Sequence, residues 1–246
     1  MAGFEQAGSL DPVTIKFAKL FAAIRDRASR RHPASIANRL GTESNARRAM
    51  FMDRLFGGSV VFDEETEFVE TNDGRKVPFT ALSSGQQELL PMWSLMDYFS
   101  ELDNIRMHTK YRSRNRELVY IEEPEAHLFP SAQSLLMEFL IGSIASERRH
   151  RSLIITTHSP YIMGKLNVFL KAGPLARRKK RKQEINAIVP RECWLNQYAV
   201  SALSIQDRRI VNLFDDEGLI DARYLDGVSE DISREFSKLL AIESEL

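Results

Sequence analysis

The sequence predicts an α/β protein, a parallel-dominated sheet flanked by helices with a basic helical arm ahead of it. Two apolar runs, residues 118–121 and 152–156, are separated by a helical stretch from about Ser131 to Ser146. A strand–helix–strand unit of that kind implies parallel strands. Each run ends in polar residues, Glu122-Glu123-Pro124-Glu125 and Thr157-His158-Ser159-Pro160. Those positions are strand C-termini, where open α/β sheets hold ligands. The composition agrees: of 246 residues, 43% are hydrophobic and 28% charged, which is ordinary for a globular chain large enough to bury its own core.

Other classes are excluded. No apolar run approaches the roughly 20 residues of a membrane helix. The opening MAGFEQAG has no basic segment of the secretory kind. The single cysteine, Cys193, rules out an internal disulfide and a thiolate zinc cluster. A cytoplasmic location without a membrane partner is expected.

The elements follow in order. Residues 13–31 read as an amphipathic helix, capped by Asp11, begun by Pro12 and stopped by Pro33. Ile15, Phe17, Leu20, Phe21 and Ile24 form its apolar stripe. A second helix is expected over 43–56, ending at Gly57-Gly58. Strands come next, at 59–62 and on either side of Asn72-Asp73-Gly74-Arg75. Asp-Gly between such runs signals a hairpin. Ser83-Ser84-Gly85 opens a long helix to about Phe99, with Pro91 inside it as a kink. A basic loop is expected over 103–116, a further loop at 177–182, a strand over 193–205 and a closing helix over 228–242. Residues 1–58 are read as the helical arm, and 59–246 as the main domain.

Net charge is zero, but as a sum of blocks. Residues 13–56 hold ten Lys/Arg against three Asp/Glu, and 57–101 hold nine acids against two bases. Arg177 to Lys182 is six bases in a row, whereas 215–246 holds ten acids against three bases. Such blocks suit faces with separate partners, although a solvated surface explains any one of them.

The candidate chemistry sits at the strand ends. Glu122 and Glu123 are adjacent after a buried strand, so they point differently and can divide the work. One can hold Mg²⁺ through water, and the other can orient an attacking water. Each motif alone has a plainer alternative: an acidic corner, an incidental histidine at His158, or a helix cap at Ser83-Ser84-Gly85.

Together the motifs are specific. Leu82-Ser83-Ser84-Gly85-Gln86, then Leu118 to Pro130, then Ile154 to Pro160 resemble the C-terminal half of the nucleotide-binding domain of ABC-type ATPases. The similarity is greatest to the RecF, SMC and OLD branch of DNA-acting and phage-defence ATPases, and it covers residues 75–170 best. It implies a P-loop NTPase fold, with ATP and Mg²⁺ as cofactors. It also implies roles. Ser83, Ser84, Gly85 and Gln86 match the signature that meets the γ-phosphate of ATP held by the opposite protomer. Glu122 matches the Walker B acid that holds the metal, and Glu123 the catalytic base. Ser131, Ala132 and Gln133 fall at the D-loop, and His158 matches the switch histidine. A helix N-terminus is a fitting anion site, and on this reading Gly85 lets the backbone approach phosphate. An acid at Gly85 is therefore expected to spare the fold while blocking ATP-dependent association.

One part is missing. The Walker A loop, GxxxxGK(S/T), supplies the phosphate cradle, and no lysine here precedes Ser or Thr. Gly3 and Gly8 have the spacing, but Ser9-Leu10 follows them. The expectation is a fragment or split subunit, inactive alone, that forms an ATP-dependent homodimer or joins a Walker-A-bearing partner. DNA or an effector protein would then be its target. The alternatives are a non-hydrolysing subunit docking on such a partner, and a metal-dependent hydrolase built on Glu122, Glu123, Glu125 and His127. The hydrolase scheme gives the signature no task.

Overall fold

A computed structural model describes residues 12–29, 42–62, 67–108, 117–144, 151–177, 181–221, 232–240 and 242. The chain forms two compact units, Met1–Arg116 with Ala126–Leu128, and Glu117–Glu125 with Phe129–Leu246.

In the first unit, helix α1 (Pro12–Ser29) starts at the proline, whose fixed φ and missing N–H suit a first turn. The predicted cap Asp11 and stop Pro33 lie outside the described residues. Phe17 and Phe21, one turn apart, stack at 6.5 Å between ring centres, and Ile24 is buried. Helix α2 (Thr42–Phe56) buries Phe51, Met52, Leu55 and Phe56, an i, i+1, i+4, i+5 set that lies on one helical face. Strands β1 (Gly58–Phe62), β2 (Glu67–Thr71) and β3 (Lys76–Pro78) form an antiparallel sheet.

The β2–β3 turn is the expected Asn-Asp-Gly hairpin. Gly74 takes φ +81°, Thr71 N donates to Arg75 O at 2.9 Å, and Gly74 N donates to Thr71 O at 2.8 Å. A hydrogen bond from the Thr71 hydroxyl, aided by Arg75, holds the Asp73 carboxyl below its usual range against the opposing effect of desolvation.

Helix α3 (Ser84–His108) runs nine residues past its expected end at Phe99 and continues through Pro91. The helix thus takes up part of the loop expected over 103–116, where Leu102, Arg106 and Met107 are good helix formers. Residues 109–116 lie outside the described set.

In the second unit, β4 (Glu117–Glu122) and β5 (Arg151–Thr156) form a parallel pair in register from Glu117↔Arg151 to Glu122↔Thr156. Between them runs α4 (Pro130–Ile144), which buries Leu136, Met137, Leu140, Ile141 and Ile144. The Arg151 side chain is fully buried, and its Nε lies 2.6 Å from Glu117 Oε2. Helix α5 (Pro160–Arg177) packs on α4, where Lys165 Nζ meets Glu138 Oε1 at 2.5 Å. On the other face of the strand pair, among the described residues, Leu118, Tyr120 and Ile154 are 64%, 56% and 46% exposed.

Three expectations are corrected. The sheet is not parallel-dominated among the described residues, since β4–β5 is the one parallel pair and the other two sheets are antiparallel. Strands joined by short turns can pair only antiparallel, which settles β2–β3 and the hairpin of β6 (Leu203–Gln206) with β7 (Arg209–Asn212). The strand expected over 193–205 is confined to β6. Ahead of it the chain makes single 3₁₀ turns at Arg191–Cys193 and Gln197–Ala199. That segment docks on α5 instead of on a strand: Leu195 N donates to Phe169 O at 3.2 Å. The basic run is not one loop either. Arg177 ends α5 and Lys182 begins α6 (Lys182–Ile188); residues 178–180 lie outside the described set. Of the closing helix, 232–240 are helical. Among the described residues, no helix is long and apolar enough to cross a membrane.

Candidate functional site

The candidate residues gather at the C-terminal ends of β4 and β5. Glu122 ends its strand opposite Thr156, and its side chain is exposed. The ladder then continues one step further: Glu123 N donates to Thr156 O at 3.0 Å and lies 3.3 Å from Thr156 Oγ1. Glu123 itself turns into the left-handed region at φ +42°, which few non-glycine residues enter. The break from extended to left-handed backbone aims the two adjacent carboxylates differently. His158 follows β5, and its Nε2 lies 3.3 Å from Glu123 Oε1. The expected base and switch histidine thus meet within one unit, with half or more of each side chain open to solvent.

Two residues outside the expected site complete this cluster. Glu125 Oε1 accepts from Thr157 Oγ1 at 2.6 Å and from His158 N at 2.8 Å. Ser159 caps α5, its Oγ accepting from Tyr161 N and Ile162 N. The same hydroxyl pairs with Gln133 Oε1 at 2.5 Å. Gln133 is buried in the first turns of α4, with Ser131 exposed and Ala132 half-buried beside it. In the sequence, Gln133 is a D-loop candidate through resemblance alone. Nothing local marks its bond to a residue twenty-six positions away.

The residues expected to form the signature stand in the first unit. Ser83 and Gln86 form a capping box at the start of α3. Ser83 N and Oγ reach Gln86 Oε1 at 3.2 and 3.1 Å, and Gln86 N returns to Ser83 Oγ at 3.4 Å. Gln86 Nε2 also donates to Leu55 O at 3.1 Å. Ser83 and Ser84 are exposed, while Gly85 is buried. A Cβ on Gly85 would lie 2.4 Å from His127 O, so the backbone that needs this glycine belongs to the same chain. His127, at φ +56°, also brings Nδ1 to Glu88 Oε1 at 2.9 Å.

Two residues of the metal-dependent hydrolase alternative have other partners within their own units. Glu125 is committed to Thr157 and His158, and His127 to Glu88. Among the described residues, no group of three or more His, Cys, Asp or Glu could hold a metal ion. Mg²⁺ makes a smaller demand, one or two carboxylates completed by water and phosphate. Exposed carboxylate oxygens at Glu122 and Glu123 fit that demand.

Acidic residues and a histidine stand at the C-terminal ends of the parallel pair, with helices alongside, the position at which open α/β sheets hold ligands. The AAA ATPase domain family matches residues 35–163, more than half of the 246 residues, and the chain belongs to that family. The domain is therefore of ATPase type. No curated protein matches the chain.

Proposed function

We propose that this chain is the signature-to-C-terminus part of an ABC-type ATPase of the RecF, SMC and OLD kind. On this reading, ATP-driven dimerisation is coupled to DNA or to a defence effector. The observation that carries the reading is the Glu123–His158 pair at the ends of two parallel strands. Glu123 accepts the proton of the attacking water, and His158 holds Glu123 and senses the γ-phosphate. Glu122 would hold Mg²⁺, which neutralises phosphate charge when bound. The exposed Ser83 and Ser84, with Gly85 and Gln86, would offer the start of α3 to ATP held by another subunit, an anion at a helix N-terminus. Ser131, Ala132 and Gln133 form the D-loop. Phosphoryl transfer depends on positioning and charge stabilisation, so the phosphate cradle must come from a Walker A segment outside this sequence.

The isolated chain is expected to hydrolyse Mg-ATP at background rate. Joined to or mixed with a segment carrying GxxxxGK(S/T), it should turn over. Glu123→Gln should then lower kcat by about 10²-fold or more, the usual worth of a general base. Robust turnover by the chain alone would sink the split-site reading.

A second reading, a non-hydrolysing subunit docked on a Walker-A-bearing partner, is favoured by the exposed residues on one face of β4 and β5. Parallel sheets are normally covered on both faces, and among the described residues Leu118, Tyr120 and Ile154 are exposed. If the assembled complex hydrolyses ATP equally well with Glu123→Gln, this second reading holds.

A further inference from the structure

We infer that Glu125 is a positioning residue: its carboxylate clasps the Thr157 hydroxyl and the His158 amide so that the His158 ring stays on Glu123. The inference rests on the ATPase reading only for what the His158–Glu123 pair does; the clasp itself is geometric.

Three observations carry it. First, a single oxygen, Oε1, takes both the Thr157 hydroxyl at 2.6 Å and the His158 amide at 2.8 Å. A carboxylate acceptor makes each bond stronger than a neutral one would. Second, the same Thr157 hydroxyl carries the bonding on into the α5 cap: it accepts from Ser159 N at 3.0 Å, and Ser159 Oγ reaches Gln133 Oε1 at 2.5 Å. His158 is therefore fixed at its amide by Glu125 and just beyond by the α5 cap. Its ring, 81% exposed, has little packing to orient it, so backbone placement decides where the imidazole goes. Third, Glu125 Oε2 is buried and meets no hydrogen-bond donor among the described residues. Burying a carboxylate oxygen without a donor is unfavourable, so fold stability alone is a poor reason for an acid here. The local backbone supplies the reach. Glu123 turns left-handed, Pro124 is buried, and the chain folds Glu125 back across the end of β5.

The test uses the full chain with Glu125→Ala, Glu125→Gln and Thr157→Val. Hydrogen exchange reads the His158 amide, and long-range ¹⁵N spectra read the His158 ring. Glu125→Ala should speed exchange of that amide about tenfold, the loss of one hydrogen bond to a charged group. It should also move the ring signal toward its position in Glu123→Gln. Glu125→Gln keeps a carbonyl acceptor and should restore both, with exchange within about threefold of the parent. Thr157→Val should fall between. Amides within β4 and β5 report whether each variant is folded. A ring signal and amide exchange unchanged in Glu125→Ala would overturn the inference. So would Glu125→Gln behaving like Glu125→Ala while the strand amides stay protected. These measurements need no nucleotide. If they come out as expected while Glu123→Gln leaves hydrolysis by the assembled complex untouched, the clasp stands and the catalytic reading falls.

Discussion

Gly85 shows how one missing side-chain atom shapes the candidate site. A Cβ there would lie 2.4 Å from His127 O and 3.0 Å from Leu128 Cδ2. The first obstacle is backbone and cannot rotate away. The sequence suggests that an acid at this position would be tolerated, because helix N-termini favour negative charge. The packing reverses that expectation. Gly85→Ala should lower stability by about 2–3 kcal/mol, the cost of overpacking a close approach, and Gly85→Asp should cost more. Gly164, inside α5 with nothing within 4 Å of its Cβ position, is the control. Gly164→Ala should raise stability by about 0.5–1 kcal/mol through helix propensity alone. Urea denaturation of the two alanine variants checks both signs, and equal effects would refute the steric argument.

At the scale of elements, the β4–β5 pair bears the site and depends on one buried ion pair. Glu117 and Arg151 are opposite one another at the start of the parallel ladder. Arg151 is fully buried, whereas a third of Glu117 is exposed. Removing the arginine takes away the cation that lies 2.6 Å from the Glu117 carboxylate, which water reaches only in part. Arg151→Ala should therefore destabilise by about 3 kcal/mol, near the lower end for breaking a buried pair. Arg151→Met keeps the packing of the stem and should cost less. Thermal melts of the two variants make the comparison. Equal losses would assign the role of Arg151 to its charge and not to its volume. The same pair explains how the site is built. With the two strands in register, Glu122 and Thr156 end level, and the loops after them meet.

At the scale of the whole molecule, zero net charge conceals opposed blocks. The six bases from Arg177 to Lys182 have described ends: Arg177 closes α5 and Arg181 and Lys182 lead into α6, all three exposed. If this run meets nucleic acid, duplex binding should weaken steeply with salt. Neutralising the run should then reduce the slope of log K against log salt by about 0.9 for each phosphate that the run neutralises. Fluorescence anisotropy between low and physiological salt measures it. An unchanged slope would leave the run as a solvated connection between two helices.

The sequence by itself determined the parts with local causes. Pro12 starts α1, Asn72-Asp73-Gly74 turns the hairpin, Ser83 and Gln86 cap α3, and apolar runs ending in Glu122-Glu123 and Thr157-His158 mark two strands. Each depends on neighbours within a few residues, so spacing and residue type suffice. The tertiary structure decided what depends on distant partners. It set Glu125 on Thr157 and His158, Gln133 on Ser159, and His127 against Gly85 and Glu88. It also turned the part of the expected strand ahead of β6 into docked 3₁₀ turns, because the backbone donor at Leu195 found Phe169 O on α5. Hydrogen bonds across tens of residues leave no periodic trace in a sequence, since their partners share only a place in the fold.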